Sequence, residues 1–292
     1  MSGFSADWLS LREPADHRAR DRALLDALAG SFAGRDALRI VDLGCGTGSN
    51  LRATAPRLGL AQHWHLVDYD ATLLAAARER LGAWADEAEA EGDDLRLSLG
   101  ERRVRVSFHQ ADLAADPGAV LHHQPDLVTA SALFDLVSVP WIERFAAAVA
   151  GQGAAFYTVL TYNGVEAWEP PHPADAAVFR AFHAHQGGDK GFGPSAGPRA
   201  TEALATAFRA QGYRVDLADS PWRLGPADRA LVAELARGIA QAVRETGEVP
   251  EATIADWLQA REQAACTVGH TDCLALPCET GSQKLIPPAP SS

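Results

Sequence analysis

The residues best suited to hold a ligand lie together in one stretch, Arg39-Ile40-Val41-Asp42-Leu43-Gly44-Cys45-Gly46-Thr47-Gly48. Glycines on alternate positions let a chain turn sharply and let a ligand lie against bare backbone amides at a helix N-terminus. Asp42 stands two residues before the first of them. Further acids follow at Asp68, Asp70 and Asp112. A carboxylate about twenty positions beyond a glycine loop accepts hydrogen bonds from ribose hydroxyls. Asp68 has that spacing from Gly48, and Asp70 is a second candidate. Groups able to move a proton or bind a polar substrate come later: Asp135, Tyr162, Asn163, His183 and His185. Each histidine also fits a surface or packing role. Trp168, Phe179, Phe182 and Phe192 fit either core packing or a cage around a cation or flat ring.

The elements that position these residues read in order. Ile40, Val41 and Leu43 make a short buried strand, and Ser49-Asn50-Leu51 opens a helix that ends by Pro56. Residues 61–68 form the second strand, 71–81 an alanine-rich helix and 104–108 the alternating third strand. Residues 125–131 are strand four, and 132–150 a helix with a break at Pro140. Strand five covers 153–162, a helix 199–211, strand six 213–217 and the last strand 266–276. Pro-Ala-Asp occurs at 14–16, 173–175 and 226–228. Proline suits the first helical position and an acid the first turn. Helices are therefore expected to start near Pro14, Pro173 and Pro226, the first running to about Leu28.

The glycine pattern is G-x-G-x-G. The dinucleotide fingerprint is G-x-G-x-x-G, and Ser49 stands where its third glycine would fall. With Asp42 before the loop and the acids at 68 and 112 in order, the chain from about 39 to 162, plus two later strands, resembles the class I S-adenosylmethionine (SAM) methyltransferases. The resemblance implies an α/β, Rossmann-like, seven-stranded and mostly parallel sheet with helices on both faces. Its last strand would lie antiparallel between strands five and six. It implies SAM as cofactor and S-adenosylhomocysteine as product. Cofactor contacts would come from Asp42, Gly44, Gly46, Gly48, Asp68, Tyr69, Asp112, Leu113 and Ser131. Asp112 would take the adenine amino group, the Leu113 amide would face the ring, and Ser131 would end the strand facing the methyl donor. SAM has no pyrophosphate, and its ammonium and sulfonium make an acid beside the loop welcome. Asp135 would lie near the methyl group. Asp135, His183 and His185 are the catalytic candidates, and Tyr162, Asn163 and Trp168 the substrate-binding ones. No Asn-Pro-Pro-aromatic stretch follows strand four, which argues against the adenine-amino DNA methylases.

Domain organisation follows. Residues 1–37 read as an N-terminal helical cap whose Arg12, Arg18 and Arg20 fit either a solvated face or the SAM carboxylate. Residues 38–278 read as the methyltransferase domain, and 279–292 as a flexible, proline-rich tail. Two insertions depart from the minimal fold. Residues 163–198 suit a lid or substrate element. Residues 226–265 suit two amphipathic helices, separated at 247–250, that cover a sheet edge or form a homodimer face.

With 292 residues, 47% hydrophobic, the chain supports a sizeable core. A net charge of -12 disfavours nucleic acid as partner. There is no membrane-spanning run and no signal peptide, which suggests a cytoplasmic protein. Cys266, His270, Cys273 and Cys278 match no paired zinc spacing, so no metal is expected, and Cys266 and Cys273 should face opposite sides of their strand. The expected reaction is methyl transfer from SAM to a small molecule. The alternatives are another SAM-dependent reaction or a SAM-binding regulator without turnover; a nicotinamide oxidoreductase is disfavoured by Ser49.

Overall fold

The computed structural model describes residues 4–261 and 263–278. Two helices lead, α1 (Ala6–Ala19) and α2 (Arg22–Ser31). Ser5 and Asp21 cap them, accepting from the amides of Trp8 and Leu24. The single long helix expected from Pro14 is thus two helices. Pro14 lies inside α1, and the chain turns at Arg20, where Asp21 starts a new N-terminus.

Strand β1 (Ala37–Leu43) runs into the glycine loop and α3 (Ser49–Thr54). Then follow β2 (Ala61–Asp68), α4 (Ala71–Trp84), β3 (Glu87–Glu91), β4 (Asp94–Leu99) and β5 (Arg102–Gln110). Asp70 caps α4 through the Thr72 amide at 2.7 Å, and that is where its side chain is engaged. Between β5 and β6 (Leu127–Ser131) the connection holds only a 3-10 turn, Ala119–His123. Helix α5 (Val139–Gln152) starts where a break was expected: Ser138 caps it, Pro140 sits in its first turn, and Gly153 ends it in the left-handed region. The rest is β7 (Ala155–Glu169), α6 (Asp175–Gln186), α7 (Ala200–Ala210), β8 (Tyr213–Asp219), β9 (Trp222–Leu224), α8 (Arg229–Thr246), α9 (Glu251–Arg261) and β10 (Ala265–Pro277). Helices α6 and α8 begin close to the second and third Pro-Ala-Asp segments, as expected.

One sheet carries the fold, in the order β3-β4-β5-β2-β1-β6-β7-β10-β8, with β9 paired to β10. The run from β5 to β8 is the mostly parallel sheet read from the sequence, with β10 antiparallel to both β7 and β8. Among the described residues ten strands take part where seven were expected. The β3–β4 hairpin extends one edge; its segment 87–91, Glu-Ala-Glu-Ala-Glu, is polar and exposed on an outer strand and carries no apolar alternation to mark it. Two cores line the two faces, one holding Ile40, Trp64, Leu66 and Leu81, the other Val41, Val67, Phe145 and Phe208. Cys266 and Cys273 are buried in opposite cores.

The two insertions meet. Strand β7 runs to Glu169 rather than ending at 162, and its far half pairs with Ala265–Val268 of β10. Helices α8 and α9 pack with α6 behind this extension. Arg261 is the joint: fully buried, it donates to the Pro170 carbonyl at 2.7 Å and pairs with Asp175 at the start of α6. Its guanidinium lies 5.4 Å from the Trp168 ring centre and 5.3 Å from that of Trp257. Trp257 also donates to Asp175 at 2.8 Å. The tail from Glu279 lies outside the described residues.

Candidate functional site

The parallel strands end at a crevice between β1 and β6, where the strand order reverses, the usual ligand position in open α/β sheets. The glycine loop lines it. Gly44, Gly46 and Gly48 all have positive φ, at +59°, +52° and +78°. At Gly46 two constraints coincide: φ is left-handed, and a Cβ would stand 2.9 Å from Leu9 Cδ1 of α1. The Gly46 amide donates to Asp68 Oδ2 at 2.8 Å, and the Asp70 amide to Asp68 Oδ1 at 3.0 Å. Burial raises the Asp68 pKa, and these amide bonds oppose the rise. A carboxylate has about four acceptor positions, so lone pairs remain for a diol. Tyr69, beside it, is exposed.

Behind the loop, Asp42 is fully buried. Its Oδ1 accepts from Asn50 Nδ2 at 2.7 Å, and Arg20 donates to Asn50 Oδ1 at 2.7 Å. Burial lifts Asp42 to about 7. Among the described residues, Asp42 Oδ2, Thr47 Oγ1 and two guanidinium nitrogens of Arg20 are buried without a hydrogen-bond partner. Buried polar atoms are rarely left so, and a polar ligand or water beside the loop would satisfy them. This loop and its orphan atoms fit a nucleoside ligand with a charged amino-acid end.

Asp112 is exposed beyond the end of β5 and accepts from the Ala114 amide at 2.9 Å. Leu113 is buried, and its carbonyl accepts from Trp141 Nε1 at 2.9 Å. Ser131 closes β6, and Ala132 follows with φ of 52°, a left-handed alanine at the crevice. Asp135 lies on the next 3-10 turn. Burial pushes it up to about 6, opposed by its own amide, the Arg12 charge and the Tyr162 amide.

Helix α1 roofs the loop. Besides Leu9 over Gly46, His17 Nε2 lies 3.0 Å from Ser49 Oγ, and Glu13 holds Arg52 through two hydrogen bonds. Of the arginines expected near the cofactor, Arg12 is held by Asp16 and lies 4.9 Å from the Trp222 ring centre. Arg18 pairs with Asp228, and Arg20 is buried behind the loop.

On the extended β7, Tyr162 is buried and its hydroxyl donates to Glu166 Oε1 at 3.0 Å, with His183 Nε2 at 2.8 Å. Burial raises Glu166 to about 7, lowers His183 and raises Tyr162. Tyr162 and His183 are thus brought together. His185 points elsewhere, to Glu245 of α8 at 2.9 Å. Asn163 donates to Thr271 Oγ1 at 3.3 Å within the β7 bulge. Trp168 packs on Trp257 and Arg261 in the insertion core. Glu166 escaped sequence reading: it is one acid in a strand extension that the pattern had not assigned as strand.

The family model for the methyltransferase domain matches residues 40–152. Residues 40–152 are thus similar to a methyltransferase domain, in line with the motifs of that segment, which resemble the class I SAM-dependent methyltransferases. A cyclopropane-fatty-acyl-phospholipid synthase-like protein from Lactobacillus casei shares the fold at TM-score 0.53, with 14% identity over 94% of this chain and 95% of that one. A SAM-dependent methyltransferase from Thiobacillus denitrificans, in complex with S-adenosylhomocysteine, aligns at TM-score 0.43 and 16% identity over 93% and 98% of the two chains. One from Geobacter sulfurreducens, in the same complex, aligns at TM-score 0.43 and 17% identity over 95% and 100%. Comparison with curated proteins gives no match. Among the described residues no helix is long and apolar enough to cross a membrane.

Proposed function

We propose that this methyltransferase binds SAM on the glycine loop and moves its methyl group to a small-molecule acceptor. The observation that carries this reading is the roofed crevice: α1 lies on the loop, and the β7 extension with Tyr162 stands beside Asp135. A crevice covered by α1 suits a small acceptor better than a macromolecule, and so does the net charge of -12. Asp68 would hold the ribose, Asp112 and the Leu113 amide the adenine, and the atoms around Asp42 the methionyl end, through water or directly.

SAM supplies a methyl group on a sulfonium, which leaves as a neutral thioether. The chain's part is alignment and proton handling. Alignment of nucleophile and methyl can supply about 7–11 kcal/mol. Asp135, with its pKa near 6, is ionised at neutral pH and able to take a proton from a hydroxyl or ammonium acceptor. Tyr162, linked to Glu166 and His183, would orient the acceptor. Screening small alcohols, amines and thiols for S-adenosylhomocysteine release tests the reading. Acceptor-dependent release supports it. Release only with a protein or nucleic acid would overturn it.

A further inference from the structure

Five of the chain's ten histidines gather on the sheet face opposite α4, outside the cofactor crevice. His63 and His65 come from β2, His109 from β5, and His122 and His123 from the 3-10 turn that stands in for a helix between β5 and β6. The rings are stacked rather than dispersed. His65 and His123 have centroids 3.9 Å apart at 17°, and His109 lies 5.2 Å from His65 and 4.5 Å from His123. His65 Nδ1 is 2.9 Å from His109 Nε2. One ring nitrogen each from His65, His109 and His123 falls within 4.8 Å of the other two.

The distances suit one ion. Ligand nitrogens about 2.0–2.1 Å from a metal stand about 2.9 Å apart at a right angle and about 3.3 Å apart in a tetrahedron. The His65–His109 pair is already in that range; His123, on a half-exposed turn, has a ring nitrogen within 4.8 Å of both and completes the set when its ring turns out of the stack on His65. Neutral imidazole is the form that binds metal. An all-nitrogen set selects first-row transition ions over magnesium or calcium, which take oxygen ligands.

We propose that His65, His109 and His123 bind one divalent first-row transition ion, zinc foremost, with solvent completing its shell. The ion pins the 3-10 turn to the sheet and steadies the segment that carries Asp112 and Leu113. It takes no part in methyl transfer. None of its three ligands is assigned to the cofactor, so metal uptake is read separately from cofactor binding.

The test uses tag-free full chain, stripped with chelator and titrated calorimetrically with Zn2+, and with Co2+ followed by visible absorption. The expected result is about one equivalent of Zn2+, visible d–d bands with Co2+, and a higher Tm for the loaded chain. His109→Gln and His123→Gln should each weaken Zn2+ binding about 10–100-fold, with circular dichroism unchanged. Three results would overturn the proposal: no Zn2+ uptake by the folded wild-type chain, wild-type affinity in the double glutamine variant, or a strong thiolate-to-cobalt band, which would place the ion on cysteine. If the variants unfold, uptake and the cobalt spectrum of the native chain still decide.

Discussion

Asp68 accepts from the Gly46 and Asp70 amides and keeps lone pairs for a diol, so its loss should act on binding directly. Asp68→Ala and Asp112→Ala should each weaken S-adenosylhomocysteine binding by about 1.5–3 kcal/mol, read by calorimetry. Unchanged affinity in both would remove these contacts. At Asp135 the expected signature is in rate. With its pKa near 6, kcat should rise between about pH 5 and 7, and Asp135→Asn should lower kcat, abolish that limb and leave cofactor affinity nearly intact. Asp42 gives a stability test. Its pKa of about 7 in the folded chain lies above that of an unfolded aspartate, so the native state holds a proton that the unfolded chain has released. Its favourable contribution is full below about pH 4 and lost as pH rises through 7. Asp42→Asn should therefore stabilise the ligand-free chain at pH 8, by about 1–3 kcal/mol, and not at pH 4, in chemical unfolding. The glycines, Asp42 and Asp68 were legible because one loop dictates all of them within thirty positions. Glu166, His65, His109 and His123 were not, because only tertiary pairing of distant segments makes them neighbours.

The elements were legible wherever apolar periodicity and caps agreed. Strand β2 matches the expected 61–68, and β10 lies between β7 and β8 as the family resemblance implied. Pro14 misled because proline inside a helix competes poorly with a good serine cap upstream. The β7 bulge was invisible in sequence. Leu160 has φ of 57°, a strained value for leucine. Asp272 holds it: its carboxylate accepts from the Leu160 amide at 2.8 Å, Ser220 Oγ at 2.5 Å and the Asp21 amide at 2.9 Å. Gly269 allows the second irregularity, since a Cβ there would come 2.2 Å from Asn163 Oδ1. Asp272→Ala leaves three donors buried and unpaired and should cost about 3–5 kcal/mol in denaturant unfolding. Arg261→Met should loosen the joint between the insertions and raise hydrogen exchange in α6 and α9 before it touches the sheet.

Across the whole molecule, the fold divides into a mostly parallel sheet that carries the glycine loop and a second layer packed around it. The sheet order and the family could be read from one motif set. The second layer could not, because α1, the β7 extension and helices α6, α8 and α9 meet only through tertiary packing. Helix α1 touches the loop itself, so a bound cofactor should slow hydrogen exchange in α1 as well as in 42–50. The central claim is that the glycine loop, held by Asp68, is the SAM site. The direct measurement is a calorimetric titration of the folded chain, and of Asp68→Ala, with SAM, S-adenosylhomocysteine and NADH. Saturable binding of the first two, no binding of NADH, and a clear loss of affinity in the variant is the result expected here. Binding of NADH alone, or S-adenosylhomocysteine affinity indifferent to Asp68, would contradict it.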